Sequence, residues 1–154
     1  MKRPVIAALA LSLMALAAAG CSSSDTGSDT ETSGSGTGAV TFPEKALATV
    51  QSDDGALTLE VRTAPDQPPQ RGQISVEYRI LDAGGKPVDG LAVDAVTWMP
   101  AMGHGAATLP EVHAEGEGRY QLDEVDFYMP GEWQLRTKIT GTVAGQATPS
   151  FQIP

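Results

Sequence analysis

Two short segments concentrate the side chains that could do chemistry. One reads Trp-Met-Pro-Ala-Met-Gly-His-Gly (residues 98–105), and the other reads Met-Pro-Gly (residues 129–131). The two other methionines, Met1 and Met14, lie near the amino-terminal end, so every methionine after residue 20 lies in these segments. Thioether sulfur is a poor ligand for hard cations and a good one for copper(I), and imidazole binds copper in either oxidation state.

The donor types predict a copper(I) site with four ligands, Met99, Met102, His104 and Met129. Trp98 is a candidate neighbour that would make a cation–π contact or shield the ion from water. The alternative for the same residues is structural, because methionine is a common core filler and a histidine in a glycine-rich loop is usually only exposed.

Turn chemistry supports the close approach of these donors. Pro100 and Pro130 each fit the second position of a tight turn, and Gly131 fits the third position of a type II turn. Gly103 and Gly105 allow the backbone to fold tightly enough to bring the first three ligands together.

Hydrophobic patterning predicts the elements that must position the site. Apolar and polar residues alternate with a period of two, most clearly over residues 57–62, 74–80, 133–139 and 151–153, which is typical of half-buried antiparallel strands. Turn-forming residues separate these runs, and no long window has a helical stripe. The expected fold is all-β, an immunoglobulin-like antiparallel β-sandwich of seven or eight short strands.

Simple up-and-down strand order predicts where the segments lie. If the strand ending at Met99 runs up, residues 100–105 form a loop at the top, residues 106–113 descend and residues 119–127 rise again. Both Met-Pro segments then fall at the same end of the sandwich. The same order sends His113 toward the opposite end, which argues against it as a ligand.

The amino-terminal segment predicts export. Residues 1–20 have a basic start and a short apolar run, as in a secretory signal peptide. Residues 16–21, Leu-Ala-Ala-Ala-Gly-Cys, resemble the bacterial lipobox, and this resemblance implies acylation of Cys21 and anchoring in the cell envelope membrane. Ser22 follows instead of Asp, which resembles lipoproteins of the outer membrane where the host has one.

Composition then divides the exported chain in two. Residues 21–41 are the lipidated Cys21 and a Ser/Gly/Thr/acidic tether that is expected to be disordered, and residues 42–154 suit one domain with one core. Once Lys2 and Arg3 leave with the signal peptide, eight basic against 19 acidic residues give a net charge of −11. Such a surface repels nucleic acid, so no nucleic-acid partner is expected.

Residues 98–105 together with Gly-Arg-Tyr (118–120) and Phe-Tyr-Met-Pro-Gly-Glu-Trp-Gln-Leu (127–135) resemble the YtkA-like domain family and its FixH-like relatives. The resemblance covers roughly residues 55–140. It implies a small envelope β-sandwich associated with copper transport or cytochrome oxidase assembly, with Met99, Met102, His104 and Met129 as ligands. The lipobox is a departure, because FixH-like proteins carry a membrane-spanning amino-terminal helix.

Two functions remain open at this point. The first is an envelope-tethered copper(I)-binding protein, acting as a chaperone, buffer or resistance factor, with an envelope copper transporter or an oxidase-assembly protein as partner. The second is a non-catalytic accessory or interaction domain that docks on an envelope transporter through a Met/Trp-rich patch. An enzyme is not expected, because the sequence has no catalytic triad context, phosphate-binding loop or zinc-protease motif.

Overall fold

The computed structural model describes residues 39–154. The predicted signal peptide, Cys21 and all but the last three residues of the predicted tether lie outside this range. Residues 39–154 form nine β-strands, and they contain no helix long and apolar enough to cross a membrane. In chain order the strands are β1 (Ala48–Gln51), β2 (Leu57–Ala64), β3 (Gly72–Asp82), β4 (Ala92–Trp98), β5 (Glu111–Gly116), β6 (Arg119–Phe127), β7 (Gly131–Thr140), β8 (Gly145–Ala147) and β9 (Ser150–Ile153).

The strands form two sheets in which every pairing is antiparallel. One sheet has the spatial order β1-β2-β3-β6-β5. In the other, β4 pairs with one edge of β7, while β8 and β9 both pair with the opposite edge. The antiparallel β-sandwich is confirmed, with nine strands in place of seven or eight. Pro149, which has no N–H to donate, lies between β8 and β9.

Among the described residues, the core lies between the two sheets and draws on residues 47–153. The period-two prediction is confirmed, because the inward residues of each predicted run are the buried ones. Each large apolar side chain removed from water contributes roughly 1.5–3 kcal/mol. The fully or almost fully buried members include Leu57, Leu59, Val61, Val76, Tyr78, Ile80, Trp133, Leu135, Ile139 and Ile153.

One polar contact joins the two sheets inside the core. The hydroxyl groups of Tyr78 on β3 and Thr137 on β7 lie 2.9 Å apart, and Thr137 Oγ1 also donates to Leu135 O at 3.2 Å. Burial raises the pKa of Tyr78 above its ordinary value. The folded state therefore keeps the phenolic proton at a pH where the unfolded chain has lost it.

Alkaline pH is expected to destabilise the parent chain more than a Tyr78→Phe variant. The contribution of Tyr78 to stability is fully present below its unfolded pKa of about 10 and falls above it by about 1.4 kcal/mol per pH unit. Near neutral pH the variant should lose only about 0.5–1.5 kcal/mol, since Thr137 keeps its bond to Leu135 O. Urea unfolding at a series of pH values from neutral to strongly alkaline measures the free energy of unfolding of both chains. If this free energy falls with pH equally in the parent and the variant, the buried Tyr78 hydroxyl does not explain the loss.

Strand pairing brings the two methionine-bearing segments to one end of the sandwich. Trp98, the last residue of β4, pairs with Gln134, and β7 begins only three residues earlier at Gly131. The segment that follows β4 and the segment that leads into β7 therefore emerge together, as the strand order predicted. We call these two segments, residues 99–105 and 128–131, the methionine pole.

The descending strand has different bounds from those predicted. Residues 106–110 form a loop and β5 spans Glu111–Gly116, in place of a strand over 106–113. Pro110 explains the late start, because it offers no N–H for pairing. His113 lies within β5, opposite Gln121 on β6. From His113 the strand runs on to Gly116.

Candidate metal centre

Residues 99–104 form a closed turn. The backbone N–H of Met99 donates to His104 O at 2.9 Å, while the N–H groups of Met102 and Gly103 donate to Met99 O at 3.1 and 3.0 Å. Pro100 takes the second turn position as predicted, and Gly103 has the positive φ of 71° that glycine adopts freely. Met99 and His104 are directly opposite in an antiparallel bridge, where facing side chains share one side.

Close backbone packing fixes this turn on the end of β4. A Cβ atom on Gly105 would lie only 2.0 Å from the backbone oxygen of Thr97. The N–H of Ala106 also donates to Thr97 Oγ1 at 3.2 Å. Glycine at position 105 is therefore required for this approach, which holds His104 beside the end of the strand.

The second segment of the pole is held by the core. The indole Nε1–H of the fully buried Trp133 donates to Met129 O at 2.9 Å, and the ring of Tyr128 packs edge-on against the same indole. The turn differs in detail from its prediction. Gly131 has a φ of 130° and is already the first residue of β7, whereas the third position of a type II turn needs about +80°.

Two contacts join the two segments of the methionine pole. The methyl group of Met99 lies over Gly131, because a Cβ atom there would be 2.6 Å from Met99 Cε. His104 Nδ1 lies 3.0 Å from the hydroxyl oxygen of Tyr128, with the two rings within 5° of parallel. The Met99 side chain thus contacts Gly131, and the His104 side chain contacts Tyr128.

Solvent exposure differs strongly among the four predicted ligands. Met99 is only 6 % exposed and belongs to the core, and Met129 is partly buried against it. Met102 is 55 % exposed and His104 is also exposed. The cluster therefore extends from the core to the surface and combines fixed donors with accessible ones.

The Trp98 side chain makes a different contact from the one proposed for it. It lies on the outward face of β4, and the guanidinium carbon of Arg136 lies 4.4 Å from its ring centroid. A cation–π contact is thus present, with arginine as the cation. The aromatic ring in contact with His104 is Tyr128.

Sequence reasoning missed Tyr128 as a member of the site. Its neighbour Phe127 is buried at the end of β6, so alternation turns Tyr128 outward, directly before a predicted ligand. An outward aromatic hydroxyl beside Met129 was therefore the available signal.

His113 lies in a separate environment on the edge strand β5. Its Nε2 atom is 3.8 Å from Asp123 Oδ2 and 3.9 Å from Glu111 Oε2, beyond direct hydrogen-bond distance. Within residues 39–154 no group of three or more His, Cys, Asp or Glu side chains is arranged to hold a metal ion.

Surface depressions lie away from the methionine pole. Four of them, with volumes of about 300 to 480 Å³, are formed by described residues, and none is lined by any of the four predicted ligands. These four depressions therefore do not involve the predicted ligands.

Comparison with known proteins gives one match. The model of a family described as YtkA-like matches residues 53–138, close to the 55–140 range of the sequence resemblance. No curated protein and no solved structure matches the chain significantly.

Proposed function

We propose that this chain, which belongs to the YtkA-like family, binds copper(I) at the methionine pole through Met99, Met102, His104 and Met129. It would act at the cell envelope membrane as a chaperone, buffer or resistance factor. The family match suggests an accessory envelope-related domain, and the family is not known as a family of enzymes. The observation that carries the proposal is the double contact between the two segments, Met99 on Gly131 and His104 on Tyr128.

The donor set favours copper(I) over other metals. Three thioethers and one imidazole are soft or borderline ligands, and the two segments of the pole contain no Asp, Glu or Cys. Calcium and magnesium require oxygen ligands, and structural zinc sites usually use thiolate with imidazole. None of the four ligands is a thiol, so binding copper(I) at the pole would not require the deprotonation of a cysteine.

The exposure gradient suits uptake and release by ligand exchange. Met99 and Met129 are anchored in or against the core, whereas Met102 and His104 can be reached from solvent. A partner could replace the exposed ligands one at a time while the buried sulfur still holds the ion. The partner class is an envelope copper transporter or an oxidase-assembly protein.

The docking alternative rests on a different property of the same pole. Met102 and Tyr128 are 55 and 37 % exposed, so the pole presents apolar side chains to solvent. Met99 contributes little to it, because only 6 % of Met99 is exposed. A docking patch would tolerate His104→Ala, whereas a copper site would not, and partner capture that is equal with and without a copper chelator would favour docking.

Copper(I) titration against a coloured chelator tests the proposal. The sample is the chain without its predicted signal peptide and Cys21, residues 22–154, which contains the core described above, under reducing conditions. We expect the protein to withdraw one equivalent of copper(I) from the chelator. If the chelator keeps all the copper across the full range of protein concentrations, copper binding is excluded and the docking function takes its place.

The cellular location is tested separately through Cys21. We expect Cys21→Ala to move the protein out of the membrane fraction, because acyl chains contribute about 0.8 kcal/mol per buried CH₂ and two signals are needed for stable anchoring. Fractionation with and without detergent measures this. In a host with two membranes, Ser22→Asp is the matched variant, and it should remain membrane-bound but shift to the inner membrane. A Cys21→Ala protein that still sediments with membranes would overturn the lipid anchor.

A further inference from the structure

His104 has two polar neighbours at the same ring nitrogen. Nδ1 lies 3.0 Å from the hydroxyl oxygen of Tyr128 and 3.3 Å from the carbonyl oxygen of Gly105. A carbonyl oxygen can only accept a hydrogen bond, whereas a tyrosine hydroxyl can donate or accept. Both contacts are hydrogen bonds at the same time only when Nδ1 carries the proton. A neutral imidazole has one proton, so Nε2 then has a free lone pair.

We infer that Tyr128 and the Gly105 carbonyl hold neutral His104 in the Nδ1–H tautomer, which makes Nε2 the atom that binds the metal and Tyr128 a positioning residue. The assignment of Nε2 as a ligand rests on the proposed copper(I) function. The tautomer and the role of Tyr128 are properties of the metal-free chain and can be measured without it.

The core sets the position of Tyr128. Its ring packs edge-on against Trp133 with a centroid distance of 5.1 Å and an interplanar angle of 73°. Trp133 is fully buried and also donates to Met129 O, so it fixes the chain on both sides of the Tyr128–Met129 peptide. The core thus fixes the position from which the hydroxyl of Tyr128 contacts His104 Nδ1.

The same arrangement suits metal binding at the other nitrogen. Ligating histidines usually donate their second N–H to a carbonyl or other acceptor, which fixes the tautomer and the ring orientation. Among the described residues, Nε2 of His104 has no hydrogen-bond partner. An incoming copper(I) ion would therefore meet a lone pair without first displacing a proton from that nitrogen.

Long-range proton–nitrogen NMR of the metal-free chain, residues 22–154, decides the tautomer. The spectra are recorded at a pH above which the ring-nitrogen shifts of both histidines no longer change. His113 is the internal control, because its side chain is 54 % exposed and its nearest carboxylates are 3.8 and 3.9 Å away. We expect His104 to be mainly Nδ1–H and His113 mainly Nε2–H, as in free histidine. A His104 ring that is mainly Nε2–H would overturn the inference.

Tyr128→Phe separates positioning from packing, because it keeps the ring against Trp133 and removes only the hydroxyl. We expect the His104 tautomer distribution to shift toward that of His113, and copper(I) affinity to fall 10–100-fold, the usual cost of losing such a partner. An unchanged tautomer in this variant would show that Tyr128 does not position His104. Unfolding curves of the two chains serve as the folding control.

Copper(I) is diamagnetic, so the loaded chain can be studied in the same way. Adding one equivalent should move the Nε2 resonance of His104 far more than its Nδ1 resonance, and the reverse would overturn the ligand assignment. A parent chain that binds no copper(I) would overturn the proposed function together with that assignment. The metal-free tautomer would still decide whether Tyr128 positions the ring.

Discussion

Replacing Met99 and Met102 with leucine and His104 with alanine is expected to lower copper(I) affinity by well over 100-fold without unfolding the domain. The loss should exceed the 10–100-fold that removal of a single ligand-orienting residue costs, because three of four ligands are gone. Leucine is chosen at position 99 because that side chain is buried. A Met→Leu exchange usually costs less than about 1.5 kcal/mol, whereas Met→Ala in a core costs about 2–5 kcal/mol.

Competition with a coloured copper(I) chelator gives the affinity, and urea unfolding shows whether the triple variant is folded. His113→Ala is the matched control, since it removes the other histidine from an exposed strand outside the pole. It should bind copper(I) as the parent does. If the triple variant stays folded and still binds one equivalent with the affinity of the parent, Met99, Met102 and His104 are not copper ligands and the proposed site is wrong.

Gly105→Ala is expected to be strongly destabilising, costing about 3 kcal/mol, the upper part of the usual range for overpacking. The new methyl group would lie 2.0 Å from Thr97 O, and a backbone atom of β4 cannot rotate away as a side chain can. The turn must move instead, which also withdraws His104 from Tyr128. Copper(I) affinity should therefore fall along with the free energy of unfolding.

Gly103→Asn is the control for this substitution. Position 103 has a positive φ of 71°, which asparagine tolerates, and a Cβ atom added there would meet no other atom within 4 Å. We expect a cost below about 1 kcal/mol and a copper(I) affinity close to that of the parent. Equal destabilisation by the two substitutions would mean that loss of glycine flexibility, and not the contact with Thr97, explains the effect.

The fold could be predicted because its cause is local in sequence. Strand alternation is a direct result of side chains pointing to opposite faces, so the burial of Leu57, Leu59 and Val61 follows from their spacing alone. The up-and-down order of the strands then predicted that both methionine segments lie at the same end of the sandwich. The bounds of β5 were missed, because they depend on where Pro110 interrupts pairing.

The side-chain contacts of the pole were less predictable. Donor types and turn residues identified the segments, but no spacing rule states that Arg136 lies over Trp98 or that the hydroxyl of Tyr128 reaches His104. Both contacts join residues far apart in sequence, and they depend on strand register. Register places Trp98 opposite Gln134, which puts Arg136 two residues along on the same outward face.

The unequal burial of the three thioethers also determines how they meet an oxidant. Peroxide or hypochlorite converts methionine to its sulfoxide, and exposed sulfur reacts before buried sulfur. Met102 is therefore the first to be lost, while Met99 is shielded by the core. Because sulfoxide is a polar oxygen donor with little affinity for a soft ion, oxidative damage would begin at the surface of the cluster and spare its anchored sulfur.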